Sequence, residues 1–213
     1  MAPKRVSHTD DGGGCFDPTT LITMSDATVK PICTLRSGEW VKSYDIDTEQ
    51  WIPGQIGDVY EAIVDTLITL CFEGVELVLT PGHPVYAQEG TEQGWYAGDV
   101  YQACEENPDL DIKGTLKIGM DLRQPRGWVS ISDIRTETGK ERVWNLRAVE
   151  PTHTFLADGV LVHNKGGCFL AGTPISMGDG SVKAIEDVVL GDIVKTLHEK
   201  SGEFENNEVR GVD

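Results

Sequence analysis

Basic residues are scarce in this 213-residue chain: 18 Lys and Arg stand against 35 Asp and Glu, for a formal net charge of −17. That balance argues against nucleic acid and anionic membrane surfaces as partners, since both are held by Lys and Arg. The acidity is read as a solvated surface. No apolar run approaches the roughly 18 to 20 residues needed to cross a bilayer. The opening MAPKRVSHTDDGGG has a basic start but no apolar centre, so it is not a secretion signal. Location is therefore left open, cytoplasmic by default. The five cysteines, Cys15, Cys33, Cys71, Cys104 and Cys168, are odd in number and scattered, and no C-x-x-C occurs. Neither a zinc site nor a disulfide framework is indicated. No metal or cofactor is called for, and a monomer is expected.

What is present is a β pattern. Met1 to Gly14 is polar, ends in Gly12-Gly13-Gly14 and reads as a flexible flank. From Cys15 onward, short apolar runs alternate with turn residues, which means an all-β domain of several short strands. Turns are expected at Ser37-Gly38, Pro53-Gly54, Glu73-Gly74 and Thr138-Gly139, and one helical turn at Gln102 to Asn107. The stretch Val143 to Asn164 holds a hairpin signal. Asp158-Gly159 lies between Thr154-Phe155-Leu156 and Val160-Leu161-Val162, and such a turn needs the positive φ that glycine adopts freely. His153 then lies near the start of one arm, and His163-Asn164 closes the other.

An internal repeat follows. Cys168-Phe169 begins a segment that matches Cys15-Phe16 onward without a gap, at an offset of 168 − 15 = 153 residues. Thr20, Ile22, Met24, Asp26, Val29 and Lys30 are among the identities. The expected organisation is a flank (1–14), one whole unit (15–164), a linker (165–167) and the opening of a second copy (168–213), read as a disordered tail, with replacement of the first copy's own opening segment as the alternative.

Three positions carry chemistry. Cys15 follows Gly14, and its thiol can attack the Gly14 carbonyl to form a thioester. It needs activation, since only about a few per cent of an unperturbed thiol is thiolate at pH 7. Glycine leaves that carbonyl unhindered. An isolated cysteine is ordinarily a buried structural residue; the glycine context and its recurrence at Cys168 favour the reactive reading. Thr80-Pro81-Gly82-His83-Pro84 follows the apolar run ending at Leu79, and its prolines restrict the backbone around His83. His83 and the Thr80 hydroxyl are expected on the scissile carbonyl and leaving nitrogen of an N-to-S acyl shift. At the far end, the Asn164 carboxamide can attack its own carbonyl, close a succinimide and release Lys165, with His153 and His163 moving protons. Asn145 reads as structural, with a polar contact to the site as the lesser alternative.

In this order, the opening Cys15, the T-x-x-H at Thr80 and His83, the block with His153 and the terminal His163-Asn164 resemble the Hint superfamily, the autoprocessing domains of inteins and hedgehog-type proteins. The resemblance covers Cys15 to Asn164. It implies a flat, horseshoe-shaped β fold with pseudo-two-fold subdomains, in which both ends of the unit meet at one site. It implies single-turnover cleavage or splicing in cis, with the chain's own flanks as substrate and Gly14 and Lys165 beside the scissile bonds. Asn145 stands where the family often carries Asp, and is counted with the site on that ground. Standard inteins place Cys, Ser or Thr after the terminal Asn; Lys165 stands there, as in the bacterial intein-like class, whose following residue varies. Three fates then exist for the thioester: hydrolysis, attack by the α-amine of Lys165 once Asn164 has cyclised, or capture by Cys168. The α-amine is favoured over the Lys165 side chain, being neutral about a tenth of the time at pH 7 against under ~0.1 per cent. The competing reading is a catalytically inert β module of a larger acidic protein.

Overall fold

A computed structural model describes residues 14–164, 173–197 and 204–209. The flank before Gly14, the 165–167 linker with Lys165, and Cys168 lie outside the described residues. The chain divides into two compact units, Met1–Gly167 and Cys168–Asp213.

The first unit is built around two long strands. In chain order its elements are β1 (Leu21–Thr23), β2 (Val29–Pro31), β3 (Trp40–Asp45), β4 (Gln50–Phe72), β5 (Val75–Leu79), β6 (Val85–Glu89), β7 (Glu92–Ala97), α1 (Val100–Glu106), β8 (Ile112–Thr115), β9 (Asp121–Gln124), β10 (Gly127–Ser130), β11 (Asp133–Glu150), β12 (Thr154–Ala157) and β13 (Val160–His163). β4 and β11 pair antiparallel over most of their length, with β3 and β5 also on β4. The other sheet runs β10-β9-β6-β13-β12-β1-β2, with β7 on β6 and β8 on β7. The expected all-β class holds, but not the uniformly short strands: β4 has 23 residues and β11 has 18. Their β-branched and aromatic residues, such as Ile56, Val59, Val64, Val143 and Trp144, suit a pleated, half-buried surface.

Two expected turns lie inside these strands. Pro53-Gly54 pairs with Lys42 and Val41 of β3. The β11 ladder on β4 starts only at Gln55, so Pro53 sits where the strand has one neighbour and its missing N–H is not needed. A Cβ on Gly54 would lie 2.8 Å from Val149 Cγ1, so glycine here permits close packing rather than a reversal. Thr138-Gly139 lies in β11 at a register shift between Thr138 and Glu141, the irregularity that a glycine in a strand often marks. Where the φ requirement is met, the turns form as expected. Glu73-Gly74 closes β4 onto β5 with φ of 46° and 81°, and Asp158-Gly159 closes β12 onto β13 with 46° and 82°. The helical turn begins two residues before Gln102, with the Asp99 side chain accepting from the Gln102 N–H at 3.1 Å. Phe16, Ile22, Phe72, Leu79, Val85 and Phe155 share one core, all fully buried.

The second unit comprises β14 (Pro174–Ser176) with β15 (Val182–Ala184), and β16 (Ile193–Leu197) with β17 (Phe204–Glu208). Its hydrogen bonds echo those of residues 20–56 at the 153-residue offset. Met24 N–H to Thr28 O (2.8 Å) recurs as Met177 N–H to Ser181 O (2.9 Å). Gly38 N–H to Ile56 O (2.7 Å) recurs as Gly191 N–H to Val209 O (2.9 Å). The ion pair Lys30–Glu39 (2.6 Å) recurs as Lys183–Asp192 (2.6 Å).

Candidate active site

Cys15 and Phe16 lead into the first unit between two strands. Phe16 exchanges backbone hydrogen bonds with Trp144 of β11 (2.8 and 2.9 Å), and Thr80, just past β5, donates its N–H to Cys15 O at 2.9 Å. Cys15 is fully buried. These ladder bonds place the Gly14–Cys15 peptide among side chains from four elements. The Cys15 N–H donates to Thr80 Oγ1 at 2.8 Å. The Gly14 carbonyl accepts from Asn145 Nδ2, and the Asn145 Oδ1 in turn accepts from the Leu146 N–H at 2.7 Å, which orients the carboxamide. The Gly14 N–H donates to Glu106 Oε2 at 2.8 Å. Cys15 Sγ lies 3.6 Å from the Tyr60 hydroxyl, and Tyr60 is the register partner of Asn145 across β4 and β11.

This differs from the expected arrangement in one respect. Thr80 does not meet the Gly14 carbonyl; it accepts from the Cys15 nitrogen. Asn145, read from sequence as mainly structural, takes the carbonyl. The reason is register: Asn145 is one residue beyond Trp144, the bridge partner of Phe16, so its side chain reaches the residue before Cys15. A neutral carboxamide donor suits that position, because the oxygen there gains charge if the carbonyl is attacked.

His83 is fully buried, 4.1 Å from the Phe16 ring between centroids. A Cβ on Gly14 would lie 2.8 Å from His83 Nδ1, so the ring packs directly on that glycine. Burial pushes the His83 pKa down to about 3; nearby backbone at Gly14 and His163 opposes this and the His163 ring adds to it. His163 is likewise lowered to about 4, by burial first and then by His153. Both imidazoles are therefore neutral at pH 7.

The hairpin delivers the other end of the unit as expected. Thr154 pairs with His163. The Asn164 N–H donates to His153 O at 2.8 Å, and the His163 N–H to Pro84 O at 3.1 Å. The His153 and His163 rings are 6.2 Å apart between centroids. Asn164 is fully buried, and His153, at φ 55°, keeps its side chain 40% exposed and Nδ1 3.7 Å from Glu150 Oε1. Gly14, His83, His163 and Asn164 are thus successive neighbours, although 150 residues separate the first from the last (164 − 14). Sequence reasoning missed Glu106, Tyr60 and Trp95, whose ring meets His163 edge-on at 5.2 Å. None lies in a motif; only the register of β4, the turn of α1 and the sheet partner of β6 bring them in.

No protein-family model matches the chain, and no curated protein sequence does. Solved structures do. A bacterial intein-like domain from Clostridium thermocellum superposes with a TM-score of 0.57 at 21% identity, covering 70% of this chain and 98% of that one. A DnaB intein from Synechocystis sp. PCC 6803 gives 0.54 at 20% identity, covering 72% and 99%. The chain has the Hint fold. The TvoVMA intein gives 0.55 at only 15% identity, covering 71% and 98%, so the Hint architecture is retained where little sequence is shared.

Proposed function

We propose that the Hint-fold unit cleaves and rejoins its own backbone. Cys15 Sγ attacks the Gly14 carbonyl carbon; the bond from that carbon to the Cys15 nitrogen breaks, and the acyl group passes to sulfur. His83, neutral at rest, takes the thiol proton and returns it to the freed Cys15 amine. Thr80 holds the nitrogen and Asn145 the oxygen through the tetrahedral stage. At the other end, the Asn164 side-chain nitrogen attacks the Asn164 carbonyl carbon, the bond to Lys165 breaks, and the departing α-amine takes up a proton with His163 and His153 as carriers. The free Lys165 α-amine then attacks the thioester, forms an amide and releases the Cys15 thiol.

The observation that carries this reading is the Gly14–Cys15 peptide, whose carbonyl and N–H are each met by a buried side chain while a neutral imidazole packs on the glycine. A structural cysteine needs none of these. The reading is tested with tagged flanks, with and without a small thiol, followed by mass spectrometry. Asn164→Ala should abolish cleavage before Lys165 and ligation with it; ligated product in that variant would rule out the α-amine route. We further propose that Cys168–Asp213 opens a second Hint copy. The recurrence of turns, hydrogen bonds and an ion pair at one offset supports this.

A further inference from the structure

Glu106 lies outside every motif of the chain, yet its carboxylate holds the residue before the scissile bond. Its position is set through a short relay from the T-x-x-H loop. The Asp99 N–H donates to Pro81 O at 2.8 Å, which ties the start of α1 to that loop. One turn on, Gln102 packs on Gly82, where an added Cβ would meet Gln102 Cγ at 2.6 Å. Gln102 Nε2 donates to Glu106 Oε1 at 2.8 Å, the i to i+4 spacing of one helical turn. The second carboxylate oxygen, Oε2, accepts the Gly14 N–H at 2.8 Å. A hydrogen bond to an ionised acceptor is about twice as strong as one between neutral groups. The same helix turn that braces the backbone beside His83 therefore also pins Gly14.

We infer that Glu106 is a positioning residue for the N-terminal step, and that α1 forms a subsite for the flank. It takes a residue with a free backbone N–H and no side chain, glycine above all. The N–H requirement comes from Glu106 and excludes proline; the size limit comes from His83 Nδ1, 2.8 Å from the space a Cβ would occupy. With the N–H held on one side by Glu106 and the carbonyl on the other by Asn145, Gly14 cannot rotate its carbonyl away from the attacking thiol. Reactions lose heavily when such alignment is loosened, because a misplacement of about 1 Å can cost ~100-fold in rate.

This inference rests on the self-processing reading, so its test has a part that needs no chemistry. In the Cys15→Ala chain, which cannot form a thioester, hydrogen exchange at the Gly14 amide reads the contact alone. Protection should fall at least about tenfold on adding Glu106→Ala and return with Glu106→Gln, whose carbonyl oxygen still accepts. In the Cys15 chain, thiol-induced N-terminal cleavage should fall about 10- to 100-fold in Glu106→Ala relative to C-terminal cleavage in the same sample, and recover most of that in Glu106→Gln. An unprotected Gly14 amide in the parent, or unchanged protection in Glu106→Ala, overturns the inference whatever the activity. Protection that responds as expected in a chain that never cleaves leaves the subsite standing and removes the self-processing reading instead. Equal loss of both cleavages, without rescue by Glu106→Gln, marks Glu106 as merely structural and also overturns it.

Discussion

Residues 20–56 and the described residues 173–197 and 204–209 build matching local structure, with recurring backbone hydrogen bonds, yet their side chains meet different surroundings. Ile22, Ile32, Val41 and Ile56 are buried in the first unit. Their equivalents at the 153-residue offset, Ile175, Ile185, Val194 and Val209, are only half-buried. In the first unit the covering comes from far along the chain. Ile22 pairs with Ala157 of β12, the Asp158 N–H reaches Leu21 O at 2.8 Å, and β11 lies along β4 from Gln55 onward. Among its described residues, the second unit contains no strand that corresponds to β11 or β12. Local geometry is thus written within about forty residues, while a buried core and a site need the strands that return later.

The comparison breaks most sharply in chemistry. Cys15 and Cys168 share a Gly-Cys-Phe context; the peptide before Cys15 has Thr80, Asn145 and His83 around it, while Cys168 lies outside the described residues. Cys15→Ala should abolish thiol-induced cleavage after Gly14, a drop of at least about 1000-fold. Cys168→Ala should leave that cleavage within twofold, by the same mass-spectrometric assay. An effect of Cys168→Ala near that of Cys15→Ala would mean that the copies are not functionally distinct.

Stability gives the next contrast. Ile22→Ala removes a fully buried side chain and should lower the unfolding free energy by about 2–5 kcal/mol. Ile175→Ala should cost under ~1 kcal/mol, in urea unfolding followed by tryptophan emission for the first unit and by amide signals for the second. Equal costs would show that the second unit has a covered core of its own.

Acid should also separate the two. His83 and His163 have folded pKa values lowered to about 3 and about 4, against about 6.5 in an unfolded chain. As pH falls below about 6.5 the unfolded chain binds protons that the folded unit refuses. Stability is then at its full value above that pH and declines as pH drops toward 3 to 4, by about 1.4 kcal/mol per unit of depression at most. His83 and His163 both lie in the first unit, so this loss belongs to it. Thermal melts at pH 7, 5 and 4 should show the decline, and His83→Gln should flatten it; an unchanged slope would place the acid sensitivity elsewhere.

The smallest effect should be shared. Lys30–Glu39 and Lys183–Asp192 are matched ion pairs at 2.6 Å with partly exposed side chains. Lys30→Ala and Lys183→Ala should each cost under about 1 kcal/mol, and the same amount within error. A large difference between them would mean that the two local frameworks are less alike than their bond lengths.

Much of the first unit was legible beforehand for the reason the two copies agree. The Asp158-Gly159 hairpin follows from the φ preference of its turn, and that hairpin alone predicts His153 beside Asn164. Pro53-Gly54 and Thr138-Gly139 misled because turn residues also serve where a strand has one neighbour or changes register, and neighbours are not written locally. Asn145 was underrated on the same account. Its reach to Gly14 depends on Phe16 bridging Trp144, a contact between segments 128 residues apart (144 − 16). Glu106 had no signal at all, since an acidic residue at the end of a seven-residue helix is ordinary until the helix is placed.

By itself the sequence determined the all-β character, the order of the candidate site residues and the 153-residue repeat, because each depends on residue type and short-range backbone preference. Only the tertiary structure decided that Thr80 takes the nitrogen and Asn145 the oxygen, that His83 and His163 are neutral, and that Glu106 belongs with them. Those properties are set by desolvation and register, which sum the contributions of strands far apart along the chain, and no local stretch contains that sum.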